Sequence, residues 1–385
     1  MKQRIQSIDV IRGLIMIIMT LDHSRDFFHY PGHPPLNLQT TTVVLFFTRW
    51  ITHFCAPTFV FLSGVSAYLA GQKRTKKELS VFLIKRGLWL MLSDLLIISL
   101  LFTFDLQYHL LVLEVLWATG FGMIILGLLI WTPIPLILAL ALIIIGGHNL
   151  FDYYQLPHNS VPGNLITIFF TALGAFIPLN ATRTIVFLYA VIPWTGAILL
   201  GYVFGSLYKT NYDAKKRQST LLLSGVSFIA LFLILRIINH YGDPSPWRIQ
   251  PNVGYSILSF INTTKQSPSL LFFAMTMGPV MLLLSYAEKV STKIIAVCGL
   301  YGNVPYFYFI IHFCLLRLIN IMLILIEGLP IKSTEGALVW QSPNFGHSLW
   351  IVYLIWIVVV LSMYYPCKLY GQYKQTHSQW WLSFI

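Results

Sequence analysis

The sequence predicts an all-α membrane protein, a polytopic helix bundle of about ten transmembrane spans with one or two re-entrant or interfacial segments. Its 385 residues are 57% hydrophobic and only 10% charged, which lies outside the range of soluble proteins. Apolar runs of about 20 residues, the length that crosses a bilayer as an α-helix, recur along the whole chain. We therefore expect one membrane domain over residues 1–385, with the lipid bilayer as its surroundings.

The apolar runs set the expected spans. They cover residues 9–28, 53–71, 83–104, 110–131, 134–151, 184–207, 219–238, 268–287, 294–325 and 347–366. The ninth is too long for one straight crossing, and Gly299, Gly302 and Pro305 are expected to break its start. Two shorter apolar stretches, 41–52 and 164–178, are expected to lie in the interface or to re-enter the membrane.

The basic residues predict the orientation. They cluster at the N-terminus, in alternate loops and in the C-terminal tail: Lys2, Arg4, Lys73, Arg74, Lys76, Lys77, Lys209, Lys215, Lys216, Arg217, Lys289, Lys293, Lys368 and Lys374. Ten spans put all of them on one side, and positively charged loops stay in the cytoplasm. Both termini are therefore expected to be cytoplasmic. The net charge of +12 follows from this bias, so no nucleic-acid partner is expected.

The first span ends in a polar stretch. Asp22, Arg25, Asp26 and His29 have the spacing i, i+3, i+4, i+7 and share one helix face, with His23 at its edge. A charge inside a membrane costs about 2.5–3.5 kcal/mol on insertion scales, so such groups face protein or a water-filled cavity and usually mark function.

These residue types suit acid–base chemistry. A carboxylate holds a neighbouring histidine in one tautomer and makes it more basic. We expect His23 or His29 to be a general base, with Asp22 and Asp26 orienting it. Arg25 would hold the cluster together or stabilise an oxyanion. The competing interpretation is a structural ion-pair network that fixes the first helix to its neighbours.

Three other residues are supporting candidates. Arg49 and His53 are spaced i, i+4 and share a face. Arg49 would either bind a phosphate or carboxylate or compensate one of the aspartates. Glu114 begins a span and is expected in the same cavity. A lone histidine such as His312 is more often part of a packed core. No HExxH, Gly-rich phosphate loop or GxSxG motif is present, and no metal is expected.

Several short motifs, in this order, resemble one known family. They are Ile8–Gly13, Leu21–Asp26, Arg49–Pro57, Val115–Ala118, Pro193–Gly196, Pro268–Leu270, Gly302–Pro305, Tyr365–Cys367 and Trp380–Leu382. The chain is similar to the integral-membrane acyltransferase superfamily. Within it, the chain resembles the bacterial group related to the catalytic domain of heparan-α-glucosaminide N-acetyltransferase.

The resemblance implies acetyl transfer across a bacterial inner (cytoplasmic) membrane. The donor would be cytosolic acetyl-CoA, or another acyl-CoA, and the acceptor a glycan or similar small molecule on the far side. Arg12, nearer the cytoplasm, could attract the CoA phosphates. A histidine near the first two spans takes part in the family, as acetyl carrier or as base. This chain lacks the family's His-x-x-Trp and offers His23, His29, His33 and His53. O- against N-acetylation and the oligomeric state stay open.

Two other functions remain open. Paired carboxylates with histidines in a span also suit a proton-coupled transporter or permease of a small solute. Against a transporter, no pair of similarly broken spans occurs in two related halves of the chain. The third interpretation is a structural subunit of an envelope assembly.

Overall fold

The computed structural model describes residues 5–32, 34–154, 157, 160–171, 175–265, 267–289, 292–330 and 344–383. Its α-helices, in chain order, are α1 (Gln6–Phe28), α2 (Val43–Trp50), α3 (Cys55–Gly71), α4 (Lys76–Ser93), α5 (Ser99–Thr103), α6 (Val115–Leu129), α7 (Ile134–Gly147), α8 (Val161–Ile166), α9 (Val191–Gly205), α10 (Ala214–Ile238), α11 (Val253–Ile261), α12 (Leu270–Tyr286), α13 (Thr292–Asn303), α14 (Pro305–Ile326), α15 (Leu349–Ser362) and α16 (Tyr364–Thr376). Three short strands accompany them: β1 (Leu110–Leu113), β2 (Ala175–Pro178) and β3 (Thr184–Phe187).

The helices confirm the polytopic bundle. Within the described ranges, seven helical stretches are long and apolar enough to cross a membrane: Val43–Gly71, Ile134–Tyr153, Val191–Tyr208, Ala214–Ile238, Leu270–Lys289, Pro305–Ile326 and Leu349–Thr376. Helix α1 has 23 residues and carries the charged side chains that the sequence places there. The number of spans stays a prediction.

Two helix boundaries follow from proline. The predicted short stretch 41–52 is not separate from 53–71, because α2, a 3-10 turn at Ile51–Phe54 and α3 form one continuous stretch of 29 residues. Pro57 fits there because it lies in the first turn of α3, where its missing N–H is not needed. The expected break in the ninth span is confirmed: α13 ends at Asn303 and α14 begins at Pro305.

A small sheet replaces part of the predicted helix. Its strand order is β1-β3-β2, with β1 parallel and β2 antiparallel to β3. The starts of the predicted spans 110–131 and 184–207 are therefore wrong as helix, and the stretch 164–178, which was expected to be interfacial or re-entrant, ends in strand β2. Such short apolar strands have no periodicity that separates them from a helix.

Contacts divide the chain into two compact units. The first unit contains Met1–Cys55, Leu100–Leu106 and Tyr286–Ile385, and the second contains Ala56–Ser99 and Gln107–Ser285. In the second unit α4 packs on α6, and α9 packs on α6 and α7. The expected single domain stays a prediction.

In the first unit, α1 is surrounded by α13, α14 and α15. Gly13 and Gly302 allow α1 and α13 to touch through their backbones, since a Cβ on Gly13 would overlap the backbone of Cys298 and a Cβ on Gly302 that of Asp9. The indole N–H of Trp356 on α15 donates to the carbonyl of Ile17, 2.8 Å away. These contacts hold α1 in the centre of the first unit.

Candidate functional site

The polar stretch at the end of α1 forms a charged cluster, which we define as Asp22, Arg25, Asp26 and Arg49. Arg25 Nη1 lies 3.0 Å from Asp22 Oδ1, and Arg25 Nη2 also contacts the carboxylate of Asp26. The i, i+3 spacing brings Arg25 over Asp22 on one helix face, as the sequence predicts. Asp22 and Arg25 are both buried, whereas the side chain of Asp26 is 38% exposed.

Arg49 reaches the cluster from α2. Thr42 caps the start of that helix, because its hydroxyl accepts a hydrogen bond from the N–H of Leu45. Arg49 Nη1 lies 2.5 Å from Asp22 Oδ2 and donates to Thr52 Oγ1 at 3.1 Å. Asp22 thus bridges two arginines that belong to different helices. Arg49 was expected either to bind a phosphate or carboxylate or to compensate an aspartate. Its ion pair with Asp22 corresponds to the second role.

The charges of the cluster balance, with two carboxylates for two guanidinium groups. Buried ions are tolerated when they are paired, while removing one partner typically costs about 3–5 kcal/mol. The cluster therefore holds α1 and α2 in a fixed relation. A fixed relation between two helices suits a site whose geometry has to be rigid.

A cavity of about 240 Å³ opens beside the cluster. Arg25 and Asp26 line it from α1, His29 lines it from the position just after that helix, and residues 30–32 line it as well. The predicted shared face of Arg25, Asp26 and His29 therefore meets an open space.

A second segment lies along the end of α1. The N–H of His347 donates to the carbonyl of Phe28 at 2.7 Å, and His29 and His347 form a parallel β-bridge. His347 Nε2 lies 3.3 Å from Glu327 Oε1. Nothing in the sequence indicated that Glu327 and His347 come to this site, because the pairing joins the first helix to a segment near the other end of the chain.

His23 contacts a residue that sequence reasoning assigned to the core. His23 Nδ1 lies 2.7 Å from His312 Nε2, and the two rings stack with centroids 5.0 Å apart. His312 is fully buried on α14, and its Nδ1 lies 3.0 Å from the carbonyl oxygen of Tyr308. The one signal in the sequence was that His312 is a polar residue within an apolar span. That signal does not predict which residue His312 contacts.

The start of α1 has its own polar contacts. Arg12 Nη1 donates to Asp9 Oδ1 and to the carbonyl of Gly302, both at 3.1 Å. A cavity of about 380 Å³ lies here, and Asp9, Asn303 and Lys368 are among the residues that line it. The Asp-x-x-Arg-Gly motif therefore ties α1 to α13 beside this opening.

The remaining candidates lie elsewhere or outside the described residues. His53 is fully buried in the turn between α2 and α3. Glu114 belongs to the second unit, where its N–H donates to Asp94 Oδ2 at 2.6 Å ahead of α6. Its place in the same cavity as the cluster stays a prediction. His33 lies outside the described residues.

The acidic, histidine and cysteine side chains are spread along the fold. Across the described ranges, no three histidine, cysteine, aspartate or glutamate side chains come together in a way that could hold a metal ion.

Comparison with known proteins identifies the family. No curated protein matches the chain. The model of the family described as heparan-alpha-glucosaminide N-acetyltransferase, catalytic, matches residues 4–235. This range contains the charged cluster, His23, His29 and Arg12, while His312 and His347 lie beyond it. Because the match covers more than half of the 385 residues, the chain belongs to this family of membrane acetyltransferases.

Proposed function

We propose that this protein transfers an acetyl group from cytosolic acetyl-CoA to an amine or hydroxyl of a glycan or similar acceptor on the far side of the membrane. The observation that carries the proposal is the course of α1, which runs from the cavity beside Asp9 to the cavity beside His29 within one compact unit. Membership of an acetyltransferase family supports the reaction type.

The cavity at the start of α1 is the proposed donor end. Lys368 lines it, and Arg12 lies one turn from Asp9. Cationic side chains would attract the CoA phosphates. Arg12 also holds the carbonyl of Gly302, so it would set the shape of the opening as well.

The cavity at the end of α1 is the proposed acceptor end. A thioester needs little activation, so the chemistry requires a base for the acceptor, or an imidazole that carries the acetyl group. His29, which lines this cavity, and His23, which lies six residues earlier on α1 and is not among the lining residues, are the candidates for this role. Arg25 is held by two aspartates and would face the oxyanion that develops on the thioester carbonyl.

The test is a transfer assay with purified protein in liposomes. Radiolabelled acetyl-CoA is supplied with a panel of acceptors, including amino sugars with a free amine, N-acetylated sugars with free hydroxyls, and no acceptor. Acetylated product is identified by mass spectrometry and released CoA by its thiol. Product from the amino sugars alone would indicate N-acetylation, whereas product from the N-acetylated sugars would indicate O-acetylation.

The controls separate catalysis from folding. His23→Gln and His29→Gln are compared with His377→Gln, an exposed histidine at the end of α16. We expect one of the first two variants to lose at least about 100-fold in rate, as general-base loss typically does, and His377→Gln to be unaffected. Full activity of both site variants would refute the assignment. Uptake of a solute by counterflow without CoA, together with no acetyl transfer, would instead support a transporter.

A further inference from the structure

The pair His23–His312 fixes the tautomer of both rings. A carbonyl oxygen only accepts hydrogen bonds, so His312 Nδ1, 3.0 Å from the carbonyl of Tyr308, must carry hydrogen. A neutral His312 then has a lone pair on Nε2. That atom lies 2.7 Å from His23 Nδ1, which must therefore be the donor.

This arrangement makes Nε2 the basic nitrogen of His23. When Nε2 takes up a proton, His23 Nδ1 still donates to His312 and His312 Nδ1 still donates to Tyr308, so neither of these hydrogen bonds is broken. The bond to His312 also becomes charge-assisted, which strengthens it. A histidine with its Nδ1–H held in this way is poised to accept a proton without reorganisation.

Packing holds the ring in place. The ring of Phe313 lies 4.3 Å from that of His23, centroid to centroid, and Phe309 meets it edge-on at 6.1 Å. His312 is fully buried, whereas His23 is only partly buried. The fully buried ring of His312 thus supports the less buried ring of His23.

The ring of His29 makes a contact of a different kind. Its Nδ1 lies 3.3 Å from the carbonyl of the adjacent Tyr30, in an exposed position. A long and exposed contact orients an imidazole less firmly than the 2.7 Å contact that His23 makes with the buried ring of His312. The geometry therefore distinguishes two histidines that sequence spacing leaves equal.

We propose that His23 is the general base of the acetyl transfer and that His312 is the positioning residue that holds His23 in its Nδ1–H tautomer. The inference rests on the proposed function. In the step, Nε2 of His23 takes the proton of the acceptor hydroxyl or amine while the acceptor atom bonds to the thioester carbonyl carbon. The C–S bond then breaks, and the CoA sulfur receives that proton from His23.

The first test reads the tautomer without any activity. The protein is labelled with ¹⁵N-histidine, and the ring signals of His23 are assigned by their loss in His23→Gln. The nitrogen shifts separate protonated from unprotonated ring nitrogens. We expect Nδ1 protonated and Nε2 unprotonated in neutral His23, and a mixture of tautomers in His312→Phe. A mixed or reversed tautomer in the unaltered protein would overturn the inference.

The second test uses rescue by a conservative variant. His312→Gln puts an amide oxygen near the position of Nε2, so it can still accept from His23, whereas His312→Phe cannot. We expect His312→Gln to keep at least about a tenth of the rate and His312→Phe to lose about 100-fold or more. Equal rates of these two variants would overturn the positioning role.

A matched control accounts for lost stability. Thr20→Val removes the hydrogen bond of 2.8 Å between Thr20 and the hydroxyl of Tyr308, so it weakens the same pair of helices without touching either imidazole. We expect Thr20→Val to unfold at a lower temperature but to keep the His23 tautomer and at least half the rate. The two failures are distinguishable: an inactive unaltered protein refutes the proposed function, whereas a normal rate in His312→Phe refutes this inference alone.

Discussion

Arg49 Nη1 lies 2.5 Å from Asp22 Oδ2, and this ion pair joins α2 to α1 across 27 positions of the chain. Asp22 also forms an ion pair with Arg25, so one buried carboxylate compensates two arginines. The end of α1 is therefore held by charge as well as by apolar packing. Its stability should depend more on Asp22 than on any other member of the charged cluster.

Asp22→Asn should destabilise the protein strongly. The substitution keeps the size of the side chain but leaves Arg25 and Arg49 without their shared negative charge, which typically costs about 3–5 kcal/mol in a buried site. The thermal unfolding midpoint in detergent, followed by intrinsic fluorescence, measures the effect. Asp26→Asn is the control and should shift the midpoint less, because the Asp26 side chain is 38% exposed. Equal midpoints for both variants and the unaltered protein would contradict the prediction.

Replacing glycine by alanine should lower stability at the positions where α1 and α13 touch, and change it little where the glycine has open space around it. Gly13→Ala and Gly302→Ala put a Cβ into the backbone of the facing helix, whereas nothing lies within 4 Å of a Cβ on Gly299 of the same α13. We expect the first two to lose at least about 1–3 kcal/mol of stability, as overpacking does, and Gly299→Ala to lose little. Yield of folded protein on size-exclusion chromatography and the unfolding midpoint measure this. Comparable losses in all three variants would argue against the close contact of α1 and α13.

Lys368→Gln should weaken binding of the donor. If the cavity beside Asp9 takes the CoA phosphates, losing one charge-assisted hydrogen bond of about 1.5–3 kcal/mol should raise the KM for acetyl-CoA at least tenfold and leave kcat nearly unchanged. Lys374→Gln, on the same helix α16, is the control, because Lys374 is not among the residues that line the cavity. A KM that stays within twofold in Lys368→Gln would place the donor elsewhere.

The first turn of α4 should become less stable at acidic pH. Thr75 and Glu78 form a capping box, and hydrogen bonds from the N–H and hydroxyl of Thr75 lower the pKa of Glu78 from its ordinary value of 4.5. A lowered pKa means that the stabilisation is complete above pH 4.5 and is lost as the pH falls through the lowered value.

Hydrogen exchange of the first-turn amides of α4, corrected for the intrinsic rate, measures this effect. Protection should decrease with falling pH in the unaltered protein. In Glu78→Gln, which does not titrate, protection should be lower at neutral pH and independent of pH. The same pH dependence in both proteins would show that Glu78 is not responsible.

Arg236→Lys should destabilise the loop after α10. The guanidinium group of Arg236 donates to the carbonyls of Ser245, Ser259, Phe260 and Asn262, which one ammonium group cannot match in geometry. Each buried carbonyl left without a partner costs about 1–3 kcal/mol. Arg248→Lys is the control, since Arg248 is exposed. Protease cleavage within residues 239–264 should be faster in Arg236→Lys alone.

Much of the fold was predictable because a helix that crosses a membrane requires about 20 consecutive, mostly apolar residues, which are visible in the sequence. Apolar length alone predicted the helical bundle, and Pro305 predicted the break between α13 and α14 because proline cannot continue a helix. The strands β1–β3 were missed. Such short apolar segments carry no helical or strand periodicity, and the pairing of β1 with β3 joins parts of the chain that are distant in sequence.

The sequence by itself determined the class of protein, its family resemblance, and the shared face of Asp22, Arg25 and Asp26, since helical spacing is a local property. The tertiary structure decided which residues meet at the candidate site. Arg49 contacts Asp22, and His312 faces His23 across 289 positions, through the packing of α1 against α2 and α14. Spacing along a chain does not encode such contacts, because they depend on which helix faces meet when the whole unit folds.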